Sequence, residues 1–148
     1  MIPLFDEEGY LPSGIYEASL TKFEAHFSTN LVRKNIFQGF LRLIADLKKV
    51  GCGTVFVDGS YVTRKEYPKD IDVCWDDRGL DLNLVIAALP ILWDLQHPRD
   101  RQQRQYRADV FPAFVTENGS KKMFLDFFQQ IKGEEHKQKG IIKININD

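Results

Sequence analysis

Apolar residues recur at helical spacing early in the chain and at strand spacing later. Leu20, Phe23 and Phe27 fall at i, i+3 and i+7, which puts them on one face of a short helix with Ser19 as its cap. From about 30 to 49, Leu31, Ile36, Phe37, Phe40, Leu41, Ile44 and Leu47 form a second helical stripe. Arg33, Lys34, Arg42, Lys48 and Lys49 lie off that stripe, Asn30 serves as its N-cap and Gly51 as its stop. The β-branched and aromatic run T-V-F-V-D (54–58) predicts a buried strand, and I-D-V-C-W (71–75) predicts another. Asp81 or Asn83 starts a helix that Pro90 kinks or ends. The segment H-P-R-D-R-Q-Q-R-Q-Y-R (97–107) reads as a loop, and Y-R-A-D-V-F-P-A-F-V (106–115) as a strand, with Pro112 marking an edge or bulge. After the turn E-N-G-S, Ser120 caps a helix over K-K-M-F-L-D-F-F-Q-Q-I, and the alternation from Ile142 to Ile146 closes the chain as a strand.

Residues 1–18, with two prolines and two glycines, read as an irregular arm, and 19–148 as one domain. The mixture of helices and strands predicts an α+β fold, or the related α/β class, built on a small mixed β-sheet. Composition fits one core: 43% of the 148 residues are hydrophobic and 28% charged. A net charge of −1 gives no bulk positive field to attract nucleic acid. Charge is uneven, however, with acids dominating the first 30 residues, arginines the 97–107 segment and lysines the C-terminal part. Cys52 and Cys74 show neither a disulfide framework nor metal-ligand spacing, which fits a reduced, cytoplasmic setting. The N-terminus lacks the features of a signal peptide, and no apolar run is long enough for a transmembrane helix, so no membrane partner is expected.

The chemistry concentrates in D-G-S-Y-V-T-R-K-E-Y-P-K-D-I-D-V (58–73). On a strand, Asp70 and Asp72 project to one face while Ile71 and Val73 turn to the core. Paired carboxylates repel unless a cation lies between them, and oxygen ligands suit Mg2+ or Mn2+. Asp109, an acid in an apolar strand, completes a triad if its strand lies beside that of Asp72. Gly59 lets backbone N–H groups approach a phosphate, Ser60 adds a hydroxyl, and Arg64 and Lys65 neutralise a triphosphate.

This arrangement of apolar strand, Gly-Ser, spacer, Asp-x-Asp and a later acid resembles the signature of the DNA polymerase β-type nucleotidyltransferase superfamily. Its small single-domain branch, which includes the minimal nucleotidyltransferases of toxin–antitoxin pairs, is the nearest comparison. The resemblance implies a mixed sheet with helices packed mainly on one face. It implies that Gly59 and Ser60 bind nucleotide phosphates and that Asp70, Asp72 and Asp109 form a metal-binding catalytic triad. The expected activity is metal-dependent transfer of a nucleoside monophosphate from a nucleoside triphosphate to a hydroxyl on RNA, protein or a small molecule. An antitoxin or another protein is the expected partner. The alternative is an inactive module of the same fold that binds nucleotide or a protein. The chain departs from the pattern at Pro68-Lys69, where many active members carry a small residue.

Other residues take plainer roles. Tyr61 packs rather than stacking on a base, Trp75 and Trp93 belong to the core, and so does the aromatic run 123–128, unless it leaves an exposed face that would suit a protein partner. Arg99, Arg101, Arg104 and Arg107 either contact nucleotide or RNA or lie in a solvated loop. Cys74 shares a face with Asp72, and His26, His97 and His136 have no partner at ligand spacing.

Overall fold

Two cap motifs fix the helical N-terminal half. The computed structural model describes residues 1–95 and 99–147, so His97 lies outside the described residues. Ser19 accepts from Lys22 N at 3.2 Å to start α1 (Leu20–Phe27), and Asn30 accepts from Arg33 N at 2.9 Å to start α2 (Leu31–Lys49). The second helix ends as expected at Gly51, whose φ of 87° allows Gly51 N to reach Lys48 O and Cys52 N to reach Leu47 O. Its buried stripe differs from the periodicity at two places. Leu31 is 73% exposed, whereas Arg33 is buried at 4%. Arg33 tolerates burial because its guanidinium donates to four carbonyls, those of Phe27, Tyr61, Thr63 and Lys65.

The remaining elements are β1 (Ile15–Ala18), β2 (Thr54–Asp58), β3 (Ile71–Trp75), α3 (Leu82–Ala88), α4 (Asp100–Tyr106), β4 (Ala108–Pro112), α5 (Phe124–Phe127), β5 (Gln130–Ile131), β6 (Glu134–Gln138) and β7 (Ile141–Asn145). Five strands form a mixed sheet in the order β1-β7-β2-β3-β4, and β5 with β6 makes a separate two-stranded ribbon. The central pair β2 and β3 is antiparallel, and β3 pairs parallel with β4. The chain therefore has an α+β fold, with the apolar runs at 54–58 and 71–75 as adjacent central strands.

Strand alternation separates two cores. Val55, Val57, Ile71, Val73, Trp75, Ile142 and Ile144 face the cluster that includes the aromatic stripes of α1 and α2. Phe56, Cys74, Phe111 and Ile141 face a smaller cluster with Phe124 and Leu125 of α5. Helices thus cover mainly one face, and the opposite face is closed by the segment after β4.

Four expectations are corrected. The arm is irregular only to residue 14, since Ile15–Ala18 pairs with β7 and Leu11 is a core residue. The arginine-rich segment contains α4, because Arg and Gln are good helix formers whatever their charge. The helix expected after Ser120 is a single turn starting at Phe124; the Ser120 hydroxyl accepts from Lys122 N instead of capping it. The rest of that aromatic run leads into the β5–β6 ribbon. Pro90 ends α3 as expected, and β4, which ends in Pro112, is an edge strand. Trp75 and Tyr61 are fully buried, and Trp93 is partly so. Among the described residues, no helix is long and apolar enough to cross a membrane.

Candidate functional site

Register brings the acids together. Asp72 of β3 is paired with Asp58 of β2 on one side and with Asp109 of β4 on the other. Neighbouring strands lie about 4.8 Å apart, so three carboxylates form a row across the sheet. The row continues the smaller apolar face: Phe56, Cys74 and Phe111 form the next row on that side. Asp70 precedes β3 instead of lying within it. The amide of Gln103 ties it to the row, with Nε2 donating to Asp70 Oδ2 at 3.1 Å and to Asp109 Oδ1 at 2.8 Å. Those two oxygens therefore lie within about 6 Å of each other, inside the range of direct charge coupling.

Burial and mutual repulsion act on these acids. Burial first, then the neighbouring Asp70 and Asp109, raises Asp72 to about 7. Asp70 is also raised, by burial and then by Asp109. Asp58 has no exposed surface and is raised well above the carboxylate range, chiefly by burial and next by Asp72. Among the described residues its Oδ1 has no hydrogen-bond partner, and its Oδ2 receives only the weak Cys74 Sγ donor at 3.8 Å. Cys74 does share the face of Asp72, and burial and Asp58 keep its thiol protonated.

Asp109 is the best compensated of the row. Arg99 Nη2 donates to its Oδ2 at 3.2 Å, and Arg99 Nε lies 3.1 Å from Oδ1, off the line of a hydrogen bond. The guanidinium also lies over the Phe111 ring, 4.9 Å from its centre. Arg99 is thus neither a free cation nor a solvated loop residue. Arg101 pairs with Asp94, with 3.7 Å between Nε and Oδ2, and Arg104 and Arg107 are exposed.

The Gly-Ser turn meets the acid row directly. Gly59 has a φ of 78°, and a Cβ on it would overlap the Asp72 carboxylate. Both facts require glycine there. Residues 60–62 form one 3-10 turn, and Arg33 holds the carbonyls of Tyr61, Thr63 and Lys65 from behind. Tyr61 packs against Phe23, with its hydroxyl 2.7 Å from that of Ser28 and donating to Arg33 O at 3.0 Å. In front of the turn opens a cleft of about 880 Å³. It is lined by Gly59, Ser60, Arg64, Lys65 and Asp72, and by Phe127, Phe128, Ile131, Lys132 and Lys139 from the segment that carries the β5–β6 ribbon. Arg64 and Lys65 are exposed, and Arg64 also donates to Glu7 O at 2.9 Å. In the departing pair, Pro68 is buried and Lys69 exposed.

The donor set suits a hard divalent cation. Asp70 and Asp72 offer oxygen only, burial and repulsion disfavour their paired anionic form, and a cation between them would relieve both. Among the described residues, no three His, Cys, Asp or Glu side chains are grouped closely enough to hold a metal as they stand. Asp109 would have to exchange Arg99 for a metal to serve as a third ligand.

The residues missed in the sequence are Asp58 and Gln103, while Lys132 and Lys139 stood out only as part of the lysine-rich C-terminal segment. Alternation with Phe56 was the available signal for Asp58, but only the β2–β3 register places it beside Asp72. Gln103 had no signal, because its segment read as a loop. No curated protein and no solved structure matches the chain. A family model described as a family of unknown function (DUF6932) matches residues 3–145, and the chain belongs to that family.

Proposed function

We propose that this protein is a metal-dependent nucleotidyltransferase that moves a nucleoside monophosphate from a nucleoside triphosphate to a hydroxyl on RNA, protein or a small molecule. The observation that carries the reading is the cleft lined together by a glycine-serine turn, the raised acid Asp72 and four cations, Arg64, Lys65, Lys132 and Lys139. Cations of that number match a polyphosphate, and the acids match the divalent ion that accompanies it. Asp70 and Asp72 would hold magnesium or manganese, which when bound would supply charge neutralisation at the phosphates and a lowered pKa of the acceptor hydroxyl.

The protein's own groups bind and orient. Gly59 lets the phosphates approach the backbone, Ser60 donates its hydroxyl, and the lysines hold the phosphate tail. Asp109, once released by Arg99, receives the acceptor's proton. The acceptor oxygen bonds to the α-phosphorus as the bond from that phosphorus to the departing oxygen breaks, and pyrophosphate leaves. A toxin–antitoxin role, with an antitoxin as protein partner, rests on the family resemblance.

The Arg99–Asp109 pair favours a second reading, in which the fold binds nucleotide without transferring it. Incubation with labelled nucleoside triphosphates, magnesium and cell lysate separates the two. The enzyme labels an acceptor, and the Asp70→Asn plus Asp72→Asn variant does not. Equal labelling by both proteins refutes catalysis at these acids. Nucleotide binding that ignores both magnesium and the loss of Asp70 supports the binding module.

A further inference from the structure

We infer that the part of the cleft lined by Phe127, Phe128 and Ile131 is a nucleobase subsite, with the Phe127 ring as its stacking surface. The inference rests on the nucleotide reading above and adds which part of the ligand each set of lining residues takes. The lining divides by chemistry. Arg64, Lys65, Lys132 and Lys139 are cations, whereas Tyr10, Phe127, Phe128 and Ile131 are aromatic or apolar. Inorganic polyphosphate would use the first group and leave the second bare. An apolar peptide would use the second and leave four cations unpaired. A nucleoside triphosphate has both a polyanionic tail and a flat π surface, and uses both.

The two phenylalanines differ in what already occupies them. Phe128 is packed against Phe111 at 4.8 Å and lies 6.3 Å from Phe124. Phe127 has Phe128 as its one aromatic neighbour among the described residues, edge-on at 5.1 Å and 82°, and remains only partly buried. Its backbone is fixed, since Phe127 N donates to Met123 O at 2.9 Å and the adjacent Phe124 and Leu125 are buried against the sheet. A partly uncovered aromatic ring on a fixed backbone in a charged cleft is what base stacking requires, and stacking tolerates any base.

Calorimetry with magnesium tests this, using ATP, GTP, CTP, UTP and inorganic tripolyphosphate as probes. Wild-type protein should bind at least one nucleotide more tightly than tripolyphosphate. Phe127→Ala should weaken that nucleotide about tenfold or more and leave tripolyphosphate unchanged. Phe127→Leu, which keeps apolar bulk for folding, should show the same loss, and Phe127→Tyr should restore binding. If Phe127→Leu binds the nucleotide as wild type does, or wild type prefers tripolyphosphate, the base subsite is refuted while the phosphate and metal reading stands. If wild type binds neither probe, the nucleotide reading itself falls and the subsite with it.

Discussion

Asp72 is caught between two carboxylates and a glycine that leaves no space around it. Its folded pKa of about 7 lies above the ordinary aspartate value of 3.8. Between those values the folded state binds more protons than the unfolded one, so stability falls as pH rises from about 4 to 7. The contribution is complete below the lower value and is lost on passing the upper one. Asp58 and Asp70 shift in the same direction and add to the slope. Asp72→Asn should therefore raise stability at pH 8 by on the order of 1–3 kcal/mol and flatten the decline between pH 5 and 7. Urea unfolding across pH checks this; an unchanged slope would show that Asp72 is not held in its neutral form. At this scale, the meeting of Asp72 with Asp109 and with Gly59 was legible because apolar strands flank each of these residues. Asp58 was not, because only cross-strand pairing distinguishes it from the last residue of an ordinary strand.

The element that best shows what packing decides is α4. Its Arg and Gln content read as a solvated loop, yet two of its side chains organise the sheet edge. Gln102 is fully buried: its Oε1 accepts from Val110 N at 2.8 Å, and its Nε2 donates to Val110 O at 3.3 Å and Ile91 O at 3.0 Å. The side-chain amide thus replaces the missing neighbour strand on the open side of β4. Next to it, Gln103 links Asp70 to Asp109. The helix can approach because α2 has Gly39 at the crossing, where a Cβ would overlap the Tyr106 carbonyl. Gln102→Leu should cost about 2–3 kcal/mol, as it strands buried backbone groups of Val110. Hydrogen exchange at Val110 N should accelerate in that variant; unaltered exchange would mean another group seals the edge. Strong periodicity made α1, α2, β2, β3 and β7 legible. The ribbon and α4 were hidden because short polar elements take their structure from tertiary partners, not from an apolar pattern.

Across the whole molecule, uneven charge acquires a location. Lysines from the C-terminal segment, Lys132 and Lys139, line the same cleft as the Gly-Ser turn, while Glu17 of the N-terminal part pairs with Lys143 at the far end of the sheet, 3.3 Å apart. The acid row runs across β2, β3 and β4 on the face with fewer helices, and of its members Asp72 lines the cleft. The most direct test of this arrangement is anomalous diffraction from crystals grown with Mn2+ and a non-hydrolysable nucleoside triphosphate. A manganese peak bound by Asp70 and Asp72, with phosphates on Gly59 and Ser60 and with Arg99 withdrawn from Asp109, is the expected result. Nucleotide and metal found elsewhere, or no peak at these acids with the Arg99–Asp109 pair intact, would contradict it.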